Sequence, residues 1–206
     1  MKRLQLNMFR IFLIIAFMTA FSGCSTKTKL LRPQEEIKRS VSESGINITF
    51  TFLPEKSLKK RYGTVNNPFI SPPSIMGLNK ILAMELLIEI EKSSESALKQ
   101  GVIIPLGEIK LSIEGKTITP TNRFHLTEFW ENKIRHQTEM VGMDLAKIRL
   151  IIKREVVPNS IEVSSGSSLR GLVVFMGSFD IYSQKNVVLP VYDGSGNFLK
   201  NFDFTF

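Results

Sequence analysis

Two stretches of this chain repeat with a period of two, and that period commits a polypeptide to β structure. In GINITFTFL, Ile46, Ile48, Phe50 and Phe52 fall on one side of an extended backbone while Asn47, Thr49 and Thr51 fall on the other. ILAMELLIEIEK repeats the pattern: Leu82, Met84, Leu86, Ile88 and Ile90 alternate with a mixed set that includes Glu85, Glu89 and Glu91. Successive side chains of a strand point to opposite faces, so both segments are predicted as half-buried strands, with Glu85 and Glu89 on a solvent face.

Further short apolar runs follow, VIIPLGEIKLSI, LRGLVVFMGSF, NVVLPVY and NFLKNFDFTF, separated by SSES, EGK, SSGSS and DGSGN. The separators have turn compositions. EGK at Glu114 to Lys116 predicts a tight hairpin with Gly115 at positive φ, and Gly194 and Gly196 are expected to serve the last hairpin in the same way. About seven or eight short strands in this order predict a mainly β fold, an antiparallel sandwich. From Gly45 to Phe206 the chain is long enough for one domain with its own core.

One segment breaks the rhythm, from about residue 121 to 157. Thr127 precedes Glu128 and Glu131, and Lys133, Arg135 and His136 come later, a charge order that suits a helix dipole. After Gly142, Asp144 is placed to cap a second helix, LAKIRLIIKREV. Its Leu145, Ile148, Ile152 and Val156 share a face, Lys153 and Arg154 occupy the last turn, and Pro158 follows. Ala146, Ile148, Leu150 and Ile152 also alternate as a strand would, but the cap and stop signals favour a helix.

The start of the chain is of another kind. Lys2, Arg3 and Arg10 precede IFLIIAFMTAF, Ile11 to Phe21, which carries no charge. That run is shorter than the roughly 20 residues a spanning helix needs and has the length of an export-signal core. FSGC, Phe21 to Cys24, follows: an apolar residue, two small residues and a cysteine. It resembles the lipobox of bacterial lipoproteins, with Phe21 where the family usually has leucine. The resemblance implies cleavage before Cys24, acylation of its sulfur, whose thiolate is the nucleophile that accepts lipid, and attachment to a membrane. Cys24 is the only cysteine, so no intrachain disulfide competes for it.

Residues 1–23 are accordingly expected to be a signal peptide, 24–44 a lipidated flexible tether, and 45–206 the β-sandwich domain with its helical insert. In a host with two membranes, Ser25 rather than aspartate after the cysteine resembles the pattern that lets lipoproteins reach the outer membrane.

Processing also changes the charge. The whole chain carries a formal +8, and loss of the three basic residues of the signal leaves 24 Lys and Arg against 19 acids, about +5. The excess lies near the tether, at Lys27, Lys29 and Arg32, and in KSLKKRYG, at Lys56, Lys59, Lys60 and Arg61. Beside a bilayer each such residue adds on the order of 1 kcal/mol of attraction to anionic lipid; the alternative is a solvated charged loop. No nucleic-acid motif accompanies the charges, and export removes nucleic acid as a partner.

As a whole the domain loosely resembles the immunoglobulin-like β-sandwich domains of bacterial surface lipoproteins of uncharacterised families. In these a segment such as VVPNSIEVSSGSSLRGLVVF forms a strand, a turn and the next strand. The paired cysteines and core tryptophan of antibody domains are missing, Trp130 lying in the predicted helix. The resemblance implies a fold and no activity.

Chemistry-bearing motifs are sparse. His125 and His136 stand eleven apart with no neighbouring cysteine and no HExxH arrangement, so neither metal nor cofactor is expected beyond the lipid on Cys24. GxSxG and P-loop patterns are absent from the sequence. RYGTVNNPFISPP, with Tyr62, Asn67 and Phe69, is either a binding loop or a cover for a sandwich end. FHLTEFW, with Phe124, Phe129 and Trp130, is either a partner surface or the stripe by which the insert docks, and docking is favoured. The terminal NFDFTF resembles the closing strand of outer-membrane barrels, against which the tether and insert argue.

Two functions from different classes follow. One is a membrane-tethered, non-catalytic binding or structural module of the cell envelope, with an envelope protein or glycan as partner. The other is a hydrolase or carbohydrate-active domain, which needs converging carboxylates such as Glu128, Glu131 and Asp144. The first is preferred because no catalytic centre is identifiable.

Overall fold

The alternating segments pair with each other. In a computed structural model that describes residues 35–72, 80–92, 100–136 and 142–206, β1 (Ile37–Glu43), β2 (Ile46–Phe52) and β3 (Lys80–Ile90) are successive antiparallel strands. β8 (Ser168–Gly177) pairs with the far edge of β3 and completes a first sheet of order β1-β2-β3-β8. In the second sheet β9 (Lys185–Asp193) is central, with β10 (Phe198–Thr205) along one edge. Its other edge is shared end to end by β4 (Val102–Pro105) and β5 (Lys110–Ile113), beyond which lie β7 (Ser160–Val163) and β6 (Lys116–Ile118). The protein is a mainly β sandwich of ten antiparallel strands with three helices among the described residues.

The count of ten exceeds the expected seven or eight for local reasons. VIIPLGEIKLSI is one strand broken by a 3-10 turn at Leu106–Glu108. The break faces Leu189 to Val191 of β9, which have no ladder partner on that side, and Pro190, which cannot donate to a ladder, falls in that stretch. β1 corrects the tether: the segment read as flexible through residue 44 is a strand from Ile37, closed onto β2 by Ser44 and Gly45 at φ 53° and 75°. Only Ile37 and Val41 are partly buried in it, so it shows almost no alternation. The Glu114–Gly115 hairpin forms as predicted, at φ 50° and 71°. Gly196 is at φ 84°, but Gly194 is needed for a different reason: a Cβ there would lie 2.5 Å from Gln100 Cβ. The SSES turn and Cys24 with its signal segment lie outside the described residues.

Between the sheets, one face of each packs into a single core that includes Ile48, Phe50, Met84, Leu86, Phe175, Val187, Leu189, Phe202 and Phe204. Phe50 and Phe204 meet edge to face at 5.1 Å. NFDFTF is therefore an edge strand of the sandwich whose phenylalanines point inward, which corrects the barrel alternative. Among the described residues no helix is long and apolar enough to cross a membrane.

The insert comprises α2 (Arg123–His136) and α3 (Leu145–Glu155). Asp144 caps α3 as predicted, accepting from the backbone N–H groups of Ala146 (2.9 Å) and Lys147 (3.2 Å), so this segment is helix and not strand. α2 starts earlier than its charge order suggests. Asn122 accepts from His125 N–H at 2.8 Å, and Thr127 lies inside the helix with its hydroxyl donating to the Arg123 carbonyl.

Leu126, Trp130, Ile148 and Ile152 pack on Ile81, Ala83, Leu172 and Val174, making a second core on the outer face of the first sheet. β3 and β8 are consequently buried on both faces over Ile81–Met84 and Leu172–Phe175, which corrects the half-buried reading of β3. The feet of the insert seal the β8 edge: Thr121 N–H donates to the Val174 carbonyl at 2.7 Å and Val157 N–H to that of Leu172 at 3.0 Å. The segment from β7 through SSGSS to β8 is a strand, a turn and a strand, but the turn passes from one sheet to the other.

Candidate functional site

The loop after β2 begins as a helix, α1 (Glu55–Tyr62), where the sequence suggested a charged loop. Leu58 is its buried anchor, and Glu55 in the first turn with Lys59, Lys60 and Arg61 in the last suits the dipole. Asn67, 2% exposed, fastens the following turn: its side-chain amide donates to the carbonyls of Leu58 (3.0 Å) and Gly63 (2.8 Å) and accepts from Phe69 N–H (3.0 Å). Phe69 is fully buried beneath Tyr62, ring centroids 5.0 Å apart. Trp130 Nε1 donates to the Pro68 carbonyl at 3.0 Å, and Phe129 packs edge to face on Trp130 at 5.5 Å with Lys133 over its ring.

These positions correct the binding-surface alternative for the same residues. Asn67, Phe69 and Trp130 are buried, Tyr62 and Phe129 are half-buried, and together they dock α1 and the insert on the sheet. Phe124 is the exception in its motif, 70% exposed on α2.

A network of charge pins α1. Arg61 donates to Glu85 of β3 at 2.6 Å and to Glu36 at 2.8 Å, and Arg170 of β8 reaches Glu85 at 2.8 Å. Glu85 is thus no solvent-face residue; its side chain is 15% exposed. Burial alone would lower the Arg61 pKa, but the hydrogen bonds and charge of Glu85 and Glu36 outweigh it and hold the guanidinium above its ordinary value. The Tyr62 hydroxyl donates to Glu155 of α3 at 3.0 Å, and burial followed by that carboxylate raises the phenol well above its usual range. Lys59 pairs with Glu55 at 2.6 Å. Lys56 and Lys60 are exposed, with no ion pair among the described residues.

The geometry fixes which end of the sandwich this is. Ile37 pairs with Phe52, so the chain enters β1 beside the exit of β2, and α1 starts three residues past that exit. The entering chain, through Glu36, is bound to α1 by Arg61.

Two of the three carboxylates proposed for hydrolysis are engaged elsewhere, and the third, Glu128, is exposed on α2. Glu131 pairs with Arg135 (2.8 Å) and Arg149 (3.0 Å), and Asp144 caps α3. A small cavity of about 20 Å³ beneath α1, space for about one water, is lined mainly by apolar side chains including Phe52, Leu58, Phe69 and Ile81. Among the described residues no group of three or more His, Cys, Asp and Glu side chains is arranged to hold a metal ion.

One group went unnoticed in the sequence. Lys185, 4% exposed, opens β9 with its ammonium 4.7 Å from the Phe52 ring centroid. Burial lowers its pKa against the opposing charge of Asp180. A lysine beside NVVLPVY reads as a polar strand end, and only the three-dimensional fold puts it under Phe52.

No protein-family model, curated protein or solved structure matches the chain.

Proposed function

We propose that the protein is a lipoprotein of the cell envelope, exported, acylated on Cys24, and acting through its sandwich as a non-catalytic binding or structural module with an envelope protein or glycan as partner. The observation that carries this is FSGC at Phe21 to Cys24 behind a charged start and an uncharged run, with Cys24 the only cysteine. The fold supplies further support: β1 begins thirteen residues after Cys24, so the tether is shorter than its sequence suggests. Thirteen residues span at most about 45 Å, which bounds how far the domain can stand from the lipid.

The non-catalytic role is supported by the state of the carboxylates. Glu85 and Glu131 each answer two arginines and Asp144 a helix end, an arrangement that builds structure rather than poising a general acid. We also infer an immunoglobulin-like arrangement. Taking β2, β3 and β8 as strands A, B and E, and β4/β5, β9 and β10 as C, F and G, gives the pairing A-B-E and C-F-G of that fold.

Labelled palmitate tests the anchor. The wild-type chain should incorporate it and the Cys24→Ala chain should not, remaining an uncleaved precursor. Label retained by the Cys24→Ala chain would refute acylation at that residue.

A further inference from the structure

The basic helix and the entry of the chain occupy one end of the sandwich, and this sets the domain's orientation. With about 100° per residue, Lys56 and Lys60 project from the side of α1 opposite buried Leu58. α1 holds four basic residues against one acid, Glu55, which Lys59 already pairs. Of the two acids on the entering chain, Glu35 and Glu36, Glu36 is taken by Arg61 and Glu35 is exposed. The face that remains presents Lys56 and Lys60 as exposed cations with no carboxylate paired to either among the described residues. The helix cannot swing away, because Leu58, the Arg61 network and Tyr62–Glu155 fix it to the sheet and the insert.

We propose that Lys56 and Lys60 of α1 seat this end of the sandwich on anionic lipid headgroups, orienting the domain upright on its own membrane. The proposal rests on the lipid-anchor reading, since a tether of thirteen residues entering at this end keeps α1 within reach of the bilayer surface. Cations there gain from the negative surface potential, and the gain vanishes within a Debye length. The far end of the first sheet, where β3 runs out past Ile90 to exposed Lys92, points away from the membrane in this orientation.

The test uses the full lipidated chain reconstituted into vesicles of phosphatidylcholine alone or with about one third phosphatidylglycerol. Flotation shows attachment, and lysine acetylation read by peptide mass spectrometry shows contact. Expected is flotation with both vesicles, with acetylation of Lys56 and Lys60 slowed roughly fivefold by phosphatidylglycerol alone. Lys92 should be unaffected, and the protection should disappear at about 0.5 M salt. Flotation with equal acetylation in both vesicles would overturn the seating while leaving the anchor intact. Failure to float with either vesicle would overturn the anchor and the seating with it. Protection found in native envelopes but in neither vesicle would replace lipid with a protein on this face.

Discussion

Arg61 of α1 and Glu85 of β3 lie 2.6 Å apart, and through this contact a helix of eight residues is locked to the middle of a sheet. Glu85 also receives Arg170 from the neighbouring strand, so one carboxylate ties α1, β3 and β8 together. Such a half-buried, multiply bonded pair is worth more than the small fraction of a kcal/mol typical of exposed ion pairs.

Replacing Glu85 by alanine leaves Arg61 without its main partner, and the expected cost is about 1–3 kcal/mol by urea denaturation. Arg61→Ala and Glu85→Ala together should cost less than the sum of the two, by about 0.5–2 kcal/mol. Additive losses would mean that the two side chains do not act as a pair.

Trp130 carries the docking of the insert. Trp130→Ala removes a fully packed indole and its hydrogen bond to the Pro68 carbonyl, with an expected loss of about 3–5 kcal/mol. Trp130→Phe should recover most of that loss, and a loss under about 1 kcal/mol for alanine would show that the insert is not held by this residue.

Much of this architecture was legible because it obeys simple periods. β2 and β3 announce themselves by alternation, α3 by Asp144 and the spacing of Ile148 and Ile152, and the β5–β6 turn by Gly115. Edges and second layers were not. β1 packs little of itself and so shows no alternation, while Ile81 and Ala83 look like exceptions to a polar face until α2 and α3 cover them. The same logic separates the sites. The motif proposed at Cys24 is local in the sequence, whereas the Arg61–Glu85 clamp joins residues 24 apart and the burial of Lys185 depends on Phe52 of the other sheet.

Two glycines with similar backbone angles should behave differently. Gly101 has φ 88° and a Cβ there would lie 2.2 Å from the Val163 carbonyl oxygen, so Gly101→Ala should cost about 2 kcal/mol or more. Gly115 has φ 71° with open space around it, and asparagine tolerates that conformation, so Gly115→Asn should cost less than about 1 kcal/mol. Equal thermal shifts for the two variants would contradict the packing described at the start of β4.

Lys185 gives stability a pH dependence of definite sign. Burial favours the neutral amine in the folded protein, so the unfolded chain binds the proton more tightly, and stability rises with pH between the folded and the ordinary lysine values. Measured below about pH 10, before tyrosines titrate, this rise should flatten in Lys185→Met. A slope unchanged by the substitution would place its origin elsewhere.

Lipid anchoring of the domain, as proposed, is read from the N-terminus of the mature protein. Mass spectrometry of the protein isolated from its own envelope should find a chain of 183 residues beginning at Cys24, heavier than its sequence by the attached lipid. A protein recovered with residues 1–23 intact, or with Cys24 present and unmodified, would contradict it.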